Sequence, residues 1–102
     1  MGLGLLTPTE LLTSQIQSVI GEFLVAQNIL VKLTRHSDPD VVDEANKLLA
    51  YHSILENERV KAVQTVENVK TGAYTMSDIL QATATMWAMV EHNKDVKDLV
   101  NE

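Results

Sequence analysis

Apolar residues in the first third of the chain recur at alternating steps of four and three. These positions are Leu12, Ile16, Val19, Phe23, Ala26, Leu30 and Leu33. Because an α-helix turns once every 3.6 residues, this spacing keeps one stripe of side chains on one face, where a partner helix can cover it. The pattern predicts a long amphipathic helix that ends at about Arg35.

Three helix starts are marked by a capping residue followed by a proline or an acid. Residues 7–10 read Thr-Pro-Thr-Glu, which supplies a capping hydroxyl, a proline at the first helical position and a glutamate at the third. Residues 38–39 repeat the cap with Asp-Pro, and residues 75–78 form a second capping box with aspartate. The predicted helices span about 8–35, 39–71 and 76–100.

Short turns separate the predicted helices, and short turns favour antiparallel neighbours. We therefore predict one all-α domain over 1–102, an up-down-up three-helix bundle preceded by an apolar tail at 1–6. Whether helix two is continuous stays open at this stage. The predicted core comprises Leu12, Ile16, Val19, Phe23, Leu30, Leu48, Leu55, Ile79 and Met86.

Composition excludes several classes of function. The net charge is −6, whereas nucleic-acid binding depends on clustered Lys and Arg, so we predict no nucleic-acid partner. The chain has no cysteine, which excludes disulfides and thiolate chemistry. We also find no run of about 18 mostly apolar residues and no signal peptide, which predicts no membrane insertion. The expected location is the cytoplasm or an assembled particle.

Charge is distributed unevenly among the helices. Glu22 is the single charged residue between Leu11 and Val31, and none lies between Ile79 and Val90. Helix two carries enough charge for one solvated face and is predicted to be the outer helix. Helices one and three lack such a face, which predicts that copies of the same chain cover them. The alternative is a monomer whose Ser, Thr, Gln and Asn side chains face water.

Six residues are predicted to contact other subunits or a partner. Met86 and Trp87 point in adjacent directions and cannot both centre on one stripe, so Trp87 is the preferred interface residue. Gly21 either admits a closely packed helix or marks a bend. The full predicted interface comprises Val25, Ile29, Trp87, Met89, Leu5 and Leu6.

Histidines are the main candidates for chemistry, but they match no known ligand spacing. A carboxylate-bridged metal bundle uses Glu-x-x-His, whereas Leu49 precedes His52 by three positions and Met89 precedes His92. We interpret His52 as a structural histidine that bonds a backbone group or carboxylate, and His92 as outside any ligand pair. A role for His52 in register or pH sensing stays open. No catalytic, cofactor-binding or metal-binding residue is predicted.

The first two helices and the Ser37-Asp38-Pro39 turn resemble the subunit of type III secretion needles, a helical hairpin with a Pro-Ser-Asp-Pro turn. That resemblance implies that helices of this design can polymerise into tubes. Here His36 stands in place of the first proline, and a third helix follows Gly72. No residue roles are carried over from the needle subunits.

The sequence predicts a non-enzymatic structural or assembly protein that acts through helix-mediated self-association. It would be the subunit of a homo-oligomer or of a larger particle such as a phage or secretion assembly. The alternative is a small adaptor or inhibitor that binds one partner protein through helix three and the N-terminal tail.

Overall fold

A computed structural model describes residues 7–101 as three α-helices joined by short turns. Helix α1 spans Pro8–Leu33, α2 spans Pro39–Thr71 and α3 spans Met76–Val100. The starts of all three helices match the sequence prediction, and α2 is continuous over 33 residues. Helix α1 ends two residues earlier than expected. The apolar tail, with Leu5 and Leu6, lies outside the described residues.

Side-chain caps fix where the helices begin. Thr7 Oγ1 accepts a hydrogen bond from the Glu10 N–H at 3.1 Å. At α3 the capping box is complete: the Asp78 N–H donates to Thr75 Oγ1 at 3.1 Å, and the Thr75 N–H donates to Asp78 Oδ2 at 2.9 Å. These bonds satisfy backbone donors that the first helical turn leaves free.

The end of α2 depends on the left-handed conformation of Gly72, which has φ 78°. The Ala73 N–H then donates to the Asn68 carbonyl at 2.9 Å and closes the last turn. Glycine adopts this conformation without the steric cost that a Cβ atom imposes. The chain can therefore reverse into α3 within four residues.

Each helix packs against the other two, which confirms the all-α three-helix bundle. The up-down-up order places α2 antiparallel to α1 and α3. Overall extents are 54 × 27 × 16 Å, and a 33-residue helix spans about 50 Å. The molecule is therefore a rod about as long as α2.

Buried apolar side chains form two clusters along the rod. The first brings Ile16, Ile20 and Phe23 of α1 against α2 and the front half of α3. The second brings Ala26 and Leu30 against the start of α2 and the end of α3. Of the predicted core, the buried residues are Ile16, Phe23, Leu30, Leu55 and Met86. The half-buried ones are Leu12, Val19, Leu48 and Ile79.

One expectation about the helices needs correction. Exposed apolar side chains are not confined to α1 and α3, because α2 exposes Ile54 by 65% and Val60 by 53%. A charged face thus does not prevent a helix from also exposing apolar residues.

Helix α1 is more apolar than the sequence analysis predicted. Within residues 7–101, it is the helix that is long and apolar enough to cross a membrane, with a mean hydropathy of 1.3 over 18 residues. The expectation that no such stretch exists was wrong. Mostly buried core helices and N-terminal signal sequences pass the same test, and 28% of this window is buried within the chain.

Candidate functional site

An apolar stripe lies on the outer face of α3. Met76, Leu80 and Trp87 expose 69%, 64% and 61% of their surface. Half-buried Thr83 and Val90 continue the same alternation of four and three residues. We call Met76, Leu80, Thr83, Trp87 and Val90 the outer α3 stripe. Large apolar side chains aligned in this way form a surface that another helix can pack against.

The helix period explains why the stripe faces outward. Side chains rotate by about 100° per residue, so neighbours along α3 point in different directions. Met86 is 6% exposed and belongs to the first core cluster, whereas Trp87 points to solvent. The prediction that these two side chains cannot share one face is confirmed. Contact of Trp87 with another subunit stays a prediction.

Met89 was predicted to lie at the interface, but the structure places it in the core. Its side chain is 0% exposed and packs in the first core cluster with Phe23 and Met86. Met86 and Met89 are three positions apart, so both lie on the core face of α3. The prediction placed Met89 together with Trp87 and thereby mixed two faces of one helix.

Val25 and Ile29 line a shallow groove of about 380 Å³ between α1 and α3. Val25 is 57% exposed, while Ile29 is half-buried and packs against the second core cluster. Gly21 also lines this groove, and a Cβ atom there would meet nothing within 4 Å. No helix of the described chain therefore presses on Gly21.

Two histidines form a buried pair at the centre of the bundle. His52 of α2 is 2% exposed and His92 of α3 is 0% exposed. His52 Nδ1 lies 2.9 Å from His92 Nε2, a hydrogen-bond distance whose donor depends on the tautomers of the rings. The ring of Phe23 stacks on His52 with centroids 3.8 Å apart. One residue from each helix therefore builds this site.

The outward nitrogens of the pair have no protein partner. Within residues 7–101, His52 Nε2 and His92 Nδ1 are buried and make no hydrogen bond. Asn93 adds a third such atom: its amide nitrogen donates to the Val19 carbonyl at 3.4 Å, but Oδ1 is unpaired. Buried polar atoms without partners cost about 1–3 kcal/mol each, so the centre of the bundle is its least satisfied region.

Burial dominates the electrostatics of the pair. It lowers the pKa of His92 to about 4, and the neighbouring His52 acts in the same direction. Burial also lowers the pKa of His52, against the opposing charge of Glu56. Glu56 itself accepts hydrogen bonds from Arg59, which lower the pKa of that carboxyl. Both histidines are consequently neutral at pH 7.

The expected partner of His52 was wrong. His52 was expected to bond a backbone group or carboxylate, and its partner is instead His92. The spacing of Met89, His92 and Val96 along α3 continues the core stripe by steps of three and four. That spacing was the signal that could have placed His92 in the core.

The pair presents two unpartnered nitrogens, His52 Nε2 and His92 Nδ1. Among the residues that the structure describes, no group of three His, Cys, Asp or Glu side chains could hold a metal ion. Two neutral imidazoles in contact can accept protons, and proton binding is the chemistry that this arrangement supports directly.

No protein-family model, curated protein or solved structure matches the chain.

Proposed function

We propose that this chain is a non-enzymatic structural or assembly protein whose copies associate through the outer α3 stripe. It would be the subunit of a homo-oligomer or of a larger particle such as a phage or secretion assembly. The exposure of Met76, Leu80 and Trp87 on one helix face carries the proposal. Fully covering a large apolar side chain contributes about 1.5–3 kcal/mol, so a second helix laid along this face is favourable.

The rod shape suits lateral packing of copies. The radius of gyration is 16.0 Å, compared with about 13 Å for a compact domain of this length. A rod has long sides and a large surface for its volume, and one of those sides carries the stripe. The sequence has no charged residue between Ile79 and Val90, so covering that part of the stripe desolvates no ion.

The stripe is self-complementary about Thr83. If two copies of α3 pack antiparallel with Thr83 against Thr83, then Leu80 faces Trp87 and Met76 faces Val90 of the second copy. In both pairs, a large apolar side chain thus packs against another. An isologous interface requires a surface that is complementary to itself, and a two-fold dimer is the commonest soluble oligomer.

Parallel packing of the same stripe is less favourable. It would bring Glu91 beside Glu91 and Lys94 beside Lys94 of the second copy, because identical residues then lie at identical levels. Like charges at close range repel, and the parallel helix dipoles oppose association as well. A second copy in the antiparallel orientation is therefore the preferred occupant.

Sedimentation measurements over a range of concentrations test this proposal. We expect the natural chain to form a discrete oligomer that Leu80→Gln dissociates. Ile54→Gln is the matched control, because Ile54 is 65% exposed on α2 and Leu80 is 64% exposed on α3. A monomer at every concentration contradicts self-association. It would leave the adaptor hypothesis, in which the stripe binds one partner protein.

Cross-linking tests the antiparallel arrangement, since the chain has no natural cysteine. Thr83→Cys is expected to form a disulfide-linked dimer on mild oxidation, because the two-fold axis brings that residue close to its own copy. Met76→Cys alone should stay uncross-linked but should link to Val90→Cys when the two variants are mixed. Efficient linkage of Met76→Cys to itself would indicate parallel packing instead.

A further inference from the structure

The buried histidine pair takes no part in the proposed interface. We propose that His52 and His92 form a proton-binding site that destabilises the three-helix bundle when the surroundings become mildly acidic. The inference does not rest on self-association, because it concerns the packing of one chain. It rests on the contact between the two rings, their burial and the lack of partners for their outer nitrogens.

The neutral pair accommodates one proton between the rings. Each neutral imidazole carries one N–H and one bare nitrogen, so one ring donates across the 2.9 Å contact and the other accepts. One N–H and one bare nitrogen then remain on the outer sides of the pair, without protein partners within residues 7–101. The contact keeps its hydrogen bond only while one of the two facing nitrogens is bare.

Additional protons are not accommodated. The first would place a positive charge on a ring that is at most 2% exposed, which is costly without a contacting carboxylate. A second would put an N–H on both sides of the 2.9 Å contact, which abolishes the hydrogen bond and forces the rings apart. Phe23 stacks on His52 at 3.8 Å, so the rings can separate only if α2 and α3 move.

The charged groups around the pair do not compensate for burial. From α2, Glu56 favours the charged form of His52, but Arg59 opposes it and holds the Glu56 carboxylate. From α3, Asp95 favours the charged form of His92 more weakly than burial disfavours it.

The other two neighbours are aromatic. The edge of the Tyr51 ring packs against His92, with centroids 5.6 Å apart, and α1 contributes Phe23. Glu22, the one charged residue in the middle of α1, is exposed and lines the groove that also contains Lys97. The two aromatic neighbours therefore bring no carboxylate to the rings, and Glu22 lines the groove instead.

The direction of the pH effect follows from proton binding. His92 has a pKa of about 4 in the folded chain and 6.5 as the reference for the unfolded chain. Between these values the unfolded state binds more protons, so stability is complete above pH 6.5 and is lost as the pH falls toward 4. His92 alone lowers the folding equilibrium constant by about 30-fold between pH 7.5 and 5. Burial of His52 acts in the same direction.

Urea unfolding at pH 7.5 and pH 5 tests the proposal, with His52→Leu/His92→Leu as the informative variant. We expect the folding equilibrium constant of the natural chain to fall by about 30-fold or more between the two pH values. That of the double variant should fall far less. His36→Gln, in the exposed turn, is the control and should keep the natural pH dependence. An equal loss in the natural chain and the double variant overturns the proposal.

Nuclear magnetic resonance of the natural chain gives a second test that needs no core substitution. The ring carbon-bound protons of His52 and His92 should keep their chemical shifts between pH 7.5 and 5.5, because both rings stay neutral in the folded chain. If both rings titrate near pH 6.5 in a chain that stays folded, the proposal is overturned.

Discussion

The centre of the bundle and the outer face of α3 reverse the usual distribution of polarity. At the centre, His52 and His92 are buried, and their outer nitrogens lack partners within the described chain. On the outer face, Met76, Leu80 and Trp87 are mostly exposed. The helix period places both sets, because residues on the core face are buried whatever their polarity. We therefore propose that the buried histidines make stability depend on pH and that the outer α3 stripe binds a second copy of the chain.

The largest expected effect lies at the centre. Phe23→Ala removes a side chain that is 0% exposed and stacked on His52, so it should lower the free energy of unfolding by about 3–5 kcal/mol. Urea denaturation at pH 7.5 measures this change. A loss below about 1 kcal/mol would mean that the centre is loosely packed.

The histidine pair should show strong non-additivity. His92→Leu alone leaves the facing nitrogen of His52 without its partner, which we expect to cost about 1–3 kcal/mol at pH 7.5. Adding His52→Leu removes the orphaned group, so the double variant should be more stable than the single one. A double-mutant cycle by urea denaturation checks this order. Simple additivity of the two losses contradicts direct coupling of the rings.

A smaller effect is expected at the start of α3. Thr75→Ala removes the hydroxyl that accepts from the Asp78 N–H, and loss of such a cap costs about 1 kcal/mol. Thr75→Ser keeps the hydroxyl and serves as the control. Thermal unfolding of the two variants would contradict the capping role if both melt at the same temperature as the natural chain.

The smallest effect on the stability of a single chain is expected for Trp87→Ala. This side chain is 61% exposed, so its removal should change the free energy of unfolding of dilute protein by about 0.5 kcal/mol or less. Its neighbour on the core face, Met89, is 0% exposed, and Met89→Ala should cost about 2–5 kcal/mol. Equal losses of unfolding free energy for the two variants in dilute solution would contradict the assignment of Trp87 to the outer face and Met89 to the core face of α3.

The sequence predicts the fold well because its helix signals are local. Capping residues, the prolines at helix starts and Gly72 act within one turn, and the structure places the three helix starts at the predicted residues. The predicted end of α1 at about Arg35 lies two residues too late, because residues beyond Leu33 carry no equally strong stop signal.

The candidate site is only partly predictable. The exposure of Trp87 follows from the helix period, since its neighbour Met86 occupies the core stripe. The histidine pair joins residues 40 positions apart, so it depends on how α2 and α3 rotate against each other. Charge counts could not show that α2 also exposes Ile54, because they identify the polar face of a helix and not the apolar residues beside it.

Fluorescence of Trp87 tests the central claim most directly, because it is the single tryptophan of the chain and lies in the outer α3 stripe. As the protein concentration rises and the sedimenting mass increases, the emission should shift to shorter wavelength and acrylamide quenching should fall. Both changes follow if a second copy covers the indole ring. A growing mass with unchanged emission and quenching would place the interface elsewhere, and a constant mass of one chain would contradict self-association itself.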